Sequence, residues 1–132
     1  MKKILIVDDE PEILAILKFR ISNWGFDPIT ASSGQEGIDL AFEQRPDLLL
    51  LDVMMPGMDG FEVLKKIKSN ESTKGIPVIM VTVAAAKADI EKGMSLGASF
   101  YLTKPYDAQE LHHRITQLLG SEEEEEEEGG GK

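Results

Sequence analysis

Asp52 follows four consecutive leucines, Leu48 to Leu51, and precedes the turn-forming pair Pro56-Gly57. An apolar run of that length reads as a strand buried on both faces, so a carboxylate stands where a central strand emerges. A buried charge there is costly unless a cation or a metal pairs with it. The chain supplies both. Lys3 to Val7 is a second apolar strand and ends in Asp8-Asp9-Glu10, Thr82 ends another, Pro77 to Thr82, and Lys104 follows a strand of mixed polarity, Ser99 to Thr103. Three carboxylates gathered in one place repel one another. A hard divalent ion with oxygen ligands removes that repulsion, and magnesium fits best. Such an ion, with a lysine as point charge and a hydroxyl donor, also neutralises the equatorial oxygens of a phosphoryl group, which a nucleophilic aspartate can accept as an acyl phosphate.

The elements between these residues decide whether they meet. Pro11 suits the first turn of a helix in which Ile13, Leu14, Leu17, Ile21 and Trp24 recur at helical spacing until Gly25 closes it. Phe26 to Ala31 is a strand whose Pro28 cannot donate to a ladder, which assigns it to a sheet edge. Ser33-Gly34-Gln35-Glu36, Asp59-Gly60-Phe61-Glu62 and Asp107-Ala108-Gln109-Glu110 have capping-box spacing, and each opens a helix. The first of these has an apolar side of Ile38, Leu40, Ala41 and Phe42, the second of Phe61, Leu64 and Ile67, and the third runs through Leu119. A further helix, Ala85 to Leu96, turns only alanines, Ile90, Met94 and the internal Gly93 toward the core, so it is expected to be the most weakly held. Five strands alternating with five helices, without hairpin signals, imply parallel pairing and right-handed crossovers. The three fully apolar strands belong in the centre and the other two at the edges. The expected fold is an α/β doubly wound five-stranded parallel sheet of order 2-1-3-4-5, flavodoxin-like, with its crevice at the carboxyl ends of the strands. Asp8, Asp9, Asp52, Thr82 and Lys104 all converge there.

The motifs Ile6-Val7-Asp8-Asp9-Glu10, Asp52 through Gly60, Val81-Thr82, Gly97-Ala98 and Tyr101-Leu102-Thr103-Lys104-Pro105 together resemble the receiver domain of two-component response regulators, over residues 2 to about 119. The resemblance implies that Asp52 accepts a phosphoryl group from a phosphohistidine on a sensor histidine kinase or phosphotransfer protein. It implies that Asp8, Asp9, Asp52 and the backbone carbonyl of Met54 hold Mg2+, that Lys104 pairs with the phosphoryl oxygens, and that the Thr82 hydroxyl moves to bond one of them. Tyr101 would then swing inward and alter a partner surface formed by the fourth helix, fifth strand and fifth helix. The Lys104-Pro105 peptide would be cis. Val83 stands where many relatives have alanine or glycine, and a branched side chain there would narrow access to the acyl phosphate.

Taken singly, these residues have plainer readings. Asp8-Asp9-Glu10 would serve as helix N-terminal acids, Thr82 as a strand end, Lys104 as a solvated lysine and Tyr101 as packing in an edge strand. Their convergence favours the site. Met54, Met55 and Met58 read as loop and core filler, and His112 and His113 as surface or boundary residues.

Composition narrows the function classes. The chain has 132 residues, room for one domain, and no cysteine, which excludes disulfides and thiolate metal sites. The net charge is −10, but Glu122 to Glu128 and Lys132 contribute −6 of it, leaving −4 on residues 1–120. The expected division is a receiver domain over 1–120 and a disordered acidic, glycine-rich tail over 121–132. Met1-Lys2-Lys3 precedes an apolar run too short for a signal peptide, and no run approaches membrane-spanning length, so a soluble cytoplasmic protein is expected. With no basic stripe, zinc spacing or phosphate-cradling glycine motif, direct nucleic-acid binding and nucleotide chemistry are disfavoured. A phosphatase of the haloacid dehalogenase type would carry a second acid two residues beyond Asp52, where this chain has Met54. A non-phosphorylated binding scaffold would more naturally have lost one of Asp8, Asp9, Asp52 or Lys104. The reading is therefore a signalling switch that catalyses only its own phosphorylation and dephosphorylation.

Overall fold

The computed structural model describes residues 1–120, and the expected disordered tail lies outside them. The elements run β1 (Lys3–Val7), α1 (Pro11–Asn23), β2 (Asp27–Ala31), α2 (Gly34–Gln44), β3 (Leu48–Leu51), α3 (Gly60–Lys68), β4 (Val78–Thr82), α4 (Lys87–Ser95), β5 (Phe100–Thr103) and α5 (Ala108–Leu119). All strand pairs are parallel, in the order β2-β1-β3-β4-β5. Pro28 lies on the edge strand β2, which among the described residues pairs with β1 alone.

Strand alternation splits the core into two layers. Leu5, Val7, Leu49 and Leu51 face one side of the sheet, against Ile38 and Ala41 of α2 and Phe61, Val63, Leu64 and Ile67 of α3. Ile4, Ile6, Leu48 and Leu50 face the other, against Leu17 and Ile21 of α1 and Leu111 and Ile115 of α5. All four leucines of β3 are buried, as a strand covered on both faces requires.

The three capping boxes turn out differently. At α3 the box is complete: Asp59 accepts from the Glu62 amide at 3.0 Å, and Glu62 accepts from the Asp59 amide at 3.4 Å. At α2, Ser33 accepts from the Glu36 amide, but the Glu36 carboxylate reaches one residue further back, to the Ser32 amide at 2.6 Å. At α5 the Asp107 carboxylate accepts from the Gln109 amide, while the Glu110 amide donates to the Asp107 backbone carbonyl. Helix α4 is slightly shorter than the expected Ala85 to Leu96, because Ala86 is extended (φ −66°, ψ 147°) and forms its N-cap, without a side-chain bond, and Leu96 forms its C-cap. Met94 lies on its solvent side, 44% exposed, and Gly93 is its only buried residue. Phe42, expected on the inner side of α2, is also exposed, since helical spacing carries it past the buried Ile38 and Ala41. Among the described residues no helix is long and apolar enough to cross a membrane.

Candidate functional site

Each central site residue is fixed by one hydrogen bond just beyond a strand end. The Asp8 amide donates to the Ala31 carbonyl (3.2 Å), the Asp52 amide to Val7 (3.0 Å) and the Lys104 amide to Thr82 (2.8 Å). The sheet ladders thus continue one residue past the strands and deliver these side chains to the same rim. Asp8 and Asp52 are almost fully buried, 2% and 4% exposed, and Thr82 is wholly buried. Oxygens of Asp8, Asp9, Glu10 and Asp52 all lie within 4.8 Å of one another.

One cation answers this cluster directly. Lys104 Nζ donates to Asp8 Oδ2 at 3.0 Å and lies 3.6 Å from Asp52 Oδ2. Burial pushes the Asp8 carboxyl above the usual carboxylate range, against the opposing pull of the Glu10 amide and Lys104, and the nearby Asp52 charge pushes the same way. Burial works against the Lys104 ammonium too, but the Asp8 hydrogen bond and the charges of Asp52, Asp8 and Glu10 together outweigh it and hold its pKa above the ordinary lysine value. Among the described residues, Lys104 is the lysine paired with these three aspartates and Glu10, so the cluster carries more negative than positive charge. An all-oxygen donor set of this kind suits a hard divalent cation.

The loop after β3 is built to hold Asp52 still. Asp52 Oδ1 accepts from the Met54 amide at 3.1 Å, and the Val53 carbonyl accepts from the amides of both Met55 and Gly60 at 3.0 Å. Gly60 lies so close beneath this loop that a Cβ there would overlap the Asp52 carbonyl oxygen and stand 2.7 Å from Val53 Cα. The capping-box spacing marks Gly60 only as a first-turn residue, so this close approach was invisible before folding.

Thr82 and Tyr101 meet through a residue not singled out in the sequence. The Ala84 amide donates to Thr82 Oγ1 at 3.2 Å, and the Tyr101 hydroxyl donates to the Ala84 carbonyl at 2.6 Å. Glu10, named in the sequence only as part of an acidic motif, joins the oxygen cluster, and its amide donates to Asp8 Oδ1 at 2.9 Å. The Lys104-Pro105 peptide is cis. Met54 and Val83 stand exposed at the rim, 58% and 59%. Val83 also lines a groove of about 360 Å³ with Ile13, Ile16, Arg20, Lys104 and Tyr106. His112 lies elsewhere, stacked on Trp24 with ring centroids 4.4 Å apart.

Residues 4–116 match the family model of the response regulator receiver domain. The alkaline phosphatase synthesis transcriptional regulatory protein PhoP of Bacillus subtilis (strain 168) is 40% identical over 118 residues, which are 89% of this chain and 48% of that protein. The chain therefore spans about half the length of that curated relative. The CheY-like receiver domain protein of Methanospirillum hungatei JF-1 superposes with a TM-score of 0.85 at 31% identity, covering 97% of this chain and 98% of that one. The receiver domain of the sensor histidine kinase PA1611 of Pseudomonas aeruginosa PAO1, solved with a magnesium ion coordinated in its active-site cleft, superposes at 0.83 with 28% identity, covering 91% and 98%. With fold, strand-end residues and family model in agreement over most of the described chain, the protein belongs to the response regulator receiver domain family of two-component signalling.

Proposed function

We propose that this chain is a phosphorylation-driven switch whose phosphoacceptor is Asp52. The observation that carries the reading is the oxygen cluster of the buried Asp8 and Asp52 with the more exposed Asp9 and Glu10, answered directly by Lys104. In the proposed reaction a carboxylate oxygen of Asp52 attacks the phosphorus of a phosphohistidine on a sensor kinase or phosphotransfer protein. The P–N bond breaks, its electron pair stays on the imidazole nitrogen, and an acyl phosphate forms on Asp52. Asp8, Asp9, Asp52 and the Met54 carbonyl would hold Mg2+, which supplies charge neutralisation for the transferring group. The magnesium in the cleft of the PA1611 receiver domain supports that assignment.

The chain's own residues do the rest. The Met54 amide orients Asp52 through Oδ1. Lys104, held by Asp8, presents its ammonium toward the oxygens of the incoming group. Thr82 gives up the Ala84 amide to donate its hydroxyl to the phosphoryl group, and Tyr101, bonded to the same Ala84, relays the change to the surface of α4, β5 and α5, where a downstream protein docks. The apolar groove of Ile13, Ile16 and Val83 beside Lys104 offers the phosphodonor a surface next to the acceptor. Residues 1–120 form the receiver unit, 121–132 an appended acidic segment, and the protein acts in the cytoplasm.

Beryllofluoride, which imitates a phosphoryl group on a carboxylate, tests the site. Calorimetric titration is expected to show binding of one equivalent that requires Mg2+ and is lost in Asp52→Ala. Equal binding by Asp52→Ala would overturn the assignment.

A further inference from the structure

Helix α4 has little to hold it. Its N-cap Ala86 makes no side-chain bond, and only Gly93 among its residues is buried. Tyr101, from the adjacent strand, packs against that one point: a Cβ on Gly93 would stand 2.9 Å from both Cδ2 and Cε2 of the Tyr101 ring. That separation lies well inside van der Waals contact, so any side chain at position 93 displaces the ring or the helix. The far end of the same ring is tied down as well, since its hydroxyl donates to the Ala84 carbonyl at 2.6 Å. Burial, with the charges of Asp89 and Asp52, pushes the Tyr101 phenol up to about 12, so the hydroxyl remains a donor at neutral pH. One side chain therefore spans from the loop that enters α4 to the middle of the helix.

We propose that Gly93 is the seat of the Tyr101 ring, a positioning residue that keeps α4 in register with the Asp52 site through Tyr101 and the Ala84 peptide. The Ala84 peptide is gripped on both sides, its amide by Thr82 and its carbonyl by Tyr101. A change in the Thr82 bond alters how Ala84 holds the phenol, and the phenol ring carries that change to Gly93. Signalling through the seat rests on the proposed Thr82 and Tyr101 relay, whereas the seat itself does not.

A double-mutant cycle tests the seat. Alanine in place of an interior helical glycine ordinarily stabilises a helix. Gly93→Ala is expected to lower the melting temperature in the wild-type background, where the methyl meets the ring, and to raise it in the Tyr101→Ala background, where the ring is gone. A rise in both backgrounds would overturn the seat. The signalling role is read separately, by amide hydrogen exchange over residues 83–95 with and without Mg2+ and beryllofluoride. In the wild type the analogue is expected to change protection of this segment. In Gly93→Ala that change is expected to shrink at least twofold, while beryllofluoride affinity stays within about twofold of wild type. An undiminished response in Gly93→Ala would reduce the seat to packing and refute the coupling. If beryllofluoride bound neither protein, the Asp52 assignment would fall and the coupling with it, and the melting-temperature cycle would still decide the seat.

Discussion

Neutralising Asp52 should make the metal-free protein more stable. In Asp52→Asn the amide oxygen still accepts the Met54 amide, so the loop bond at 3.1 Å survives and only the charge is lost. Unit charges separated by the 4.8 Å that bounds this cluster repel by about 3.5 kcal/mol at an effective dielectric near 20. At 3.6 Å the attraction of Lys104 to Asp52 is about 4.6 kcal/mol on the same scale. Asp8, buried beside Asp52, opposes it most, whereas Asp9 and Glu10 are more exposed and count for less. Their combined repulsion still exceeds the single attraction, and relief of the buried carboxylate's desolvation falls on the same side, for a net gain of about 1–2 kcal/mol. For a domain of this size that is a rise in melting temperature of roughly 3–8 °C in chelator. Adding Mg2+ at 100 times its Kd should stabilise the wild type by about 2.7 kcal/mol and the variant by far less. Calorimetry or circular dichroism melts with EDTA and with Mg2+ decide it. A lower melting temperature for Asp52→Asn in EDTA, or an undiminished Mg2+ response, would show that repulsion among the carboxylates does not outweigh the attraction of Lys104.

Other perturbations separate the parts of the site. Because burial raises the Asp8 carboxyl above its reference of 3.8, its contribution to metal-free stability is complete below that reference and is lost as pH rises through the raised folded value. Mg2+ competes with that proton, so the Mg2+-induced rise in melting temperature should grow with pH across the same window in the wild type and flatten in Asp8→Asn, as melts over a pH series would show. Lys104→Met leaves Asp8 and Asp52 buried without their direct cation and should cost about 3–5 kcal/mol in urea denaturation with chelator, with much of the loss recovered by Mg2+. Gly60→Ala drives a methyl into the Asp52 carbonyl and should cost about 1–3 kcal/mol in the same assay, and it should weaken beryllofluoride binding at least tenfold because the Asp52 backbone must move.

Strand order could be read in advance because each strand announces its burial: Leu48 to Leu51 requires cover on both faces, and Pro28 rules out a central place. The convergence of Asp8, Asp52, Thr82 and Lys104 follows from that order, since parallel strands present all their carboxyl ends on one side. What the sequence leaves out is set by tertiary distance. Nothing local in Asp59-Gly60-Phe61 says that the Asp52 backbone will pass within contact of Gly60, and nothing in the alanine run 84–86 marks Ala84 as the residue whose two backbone groups meet Thr82 and Tyr101. Met94 illustrates the opposite error. Apolar type alone suggested the core face of α4, but while the helix turns Gly93 inward against Tyr101 as expected, it leaves Met94 on the exposed side.

The central claim is that Asp52 is the phosphoacceptor of a magnesium-dependent switch. Intact-mass spectrometry after incubation with Mg2+ and acetyl phosphate tests it most directly. One added phosphoryl group is expected, absent when EDTA is present and absent in Asp52→Ala. Persistence of that adduct in Asp52→Ala would contradict it.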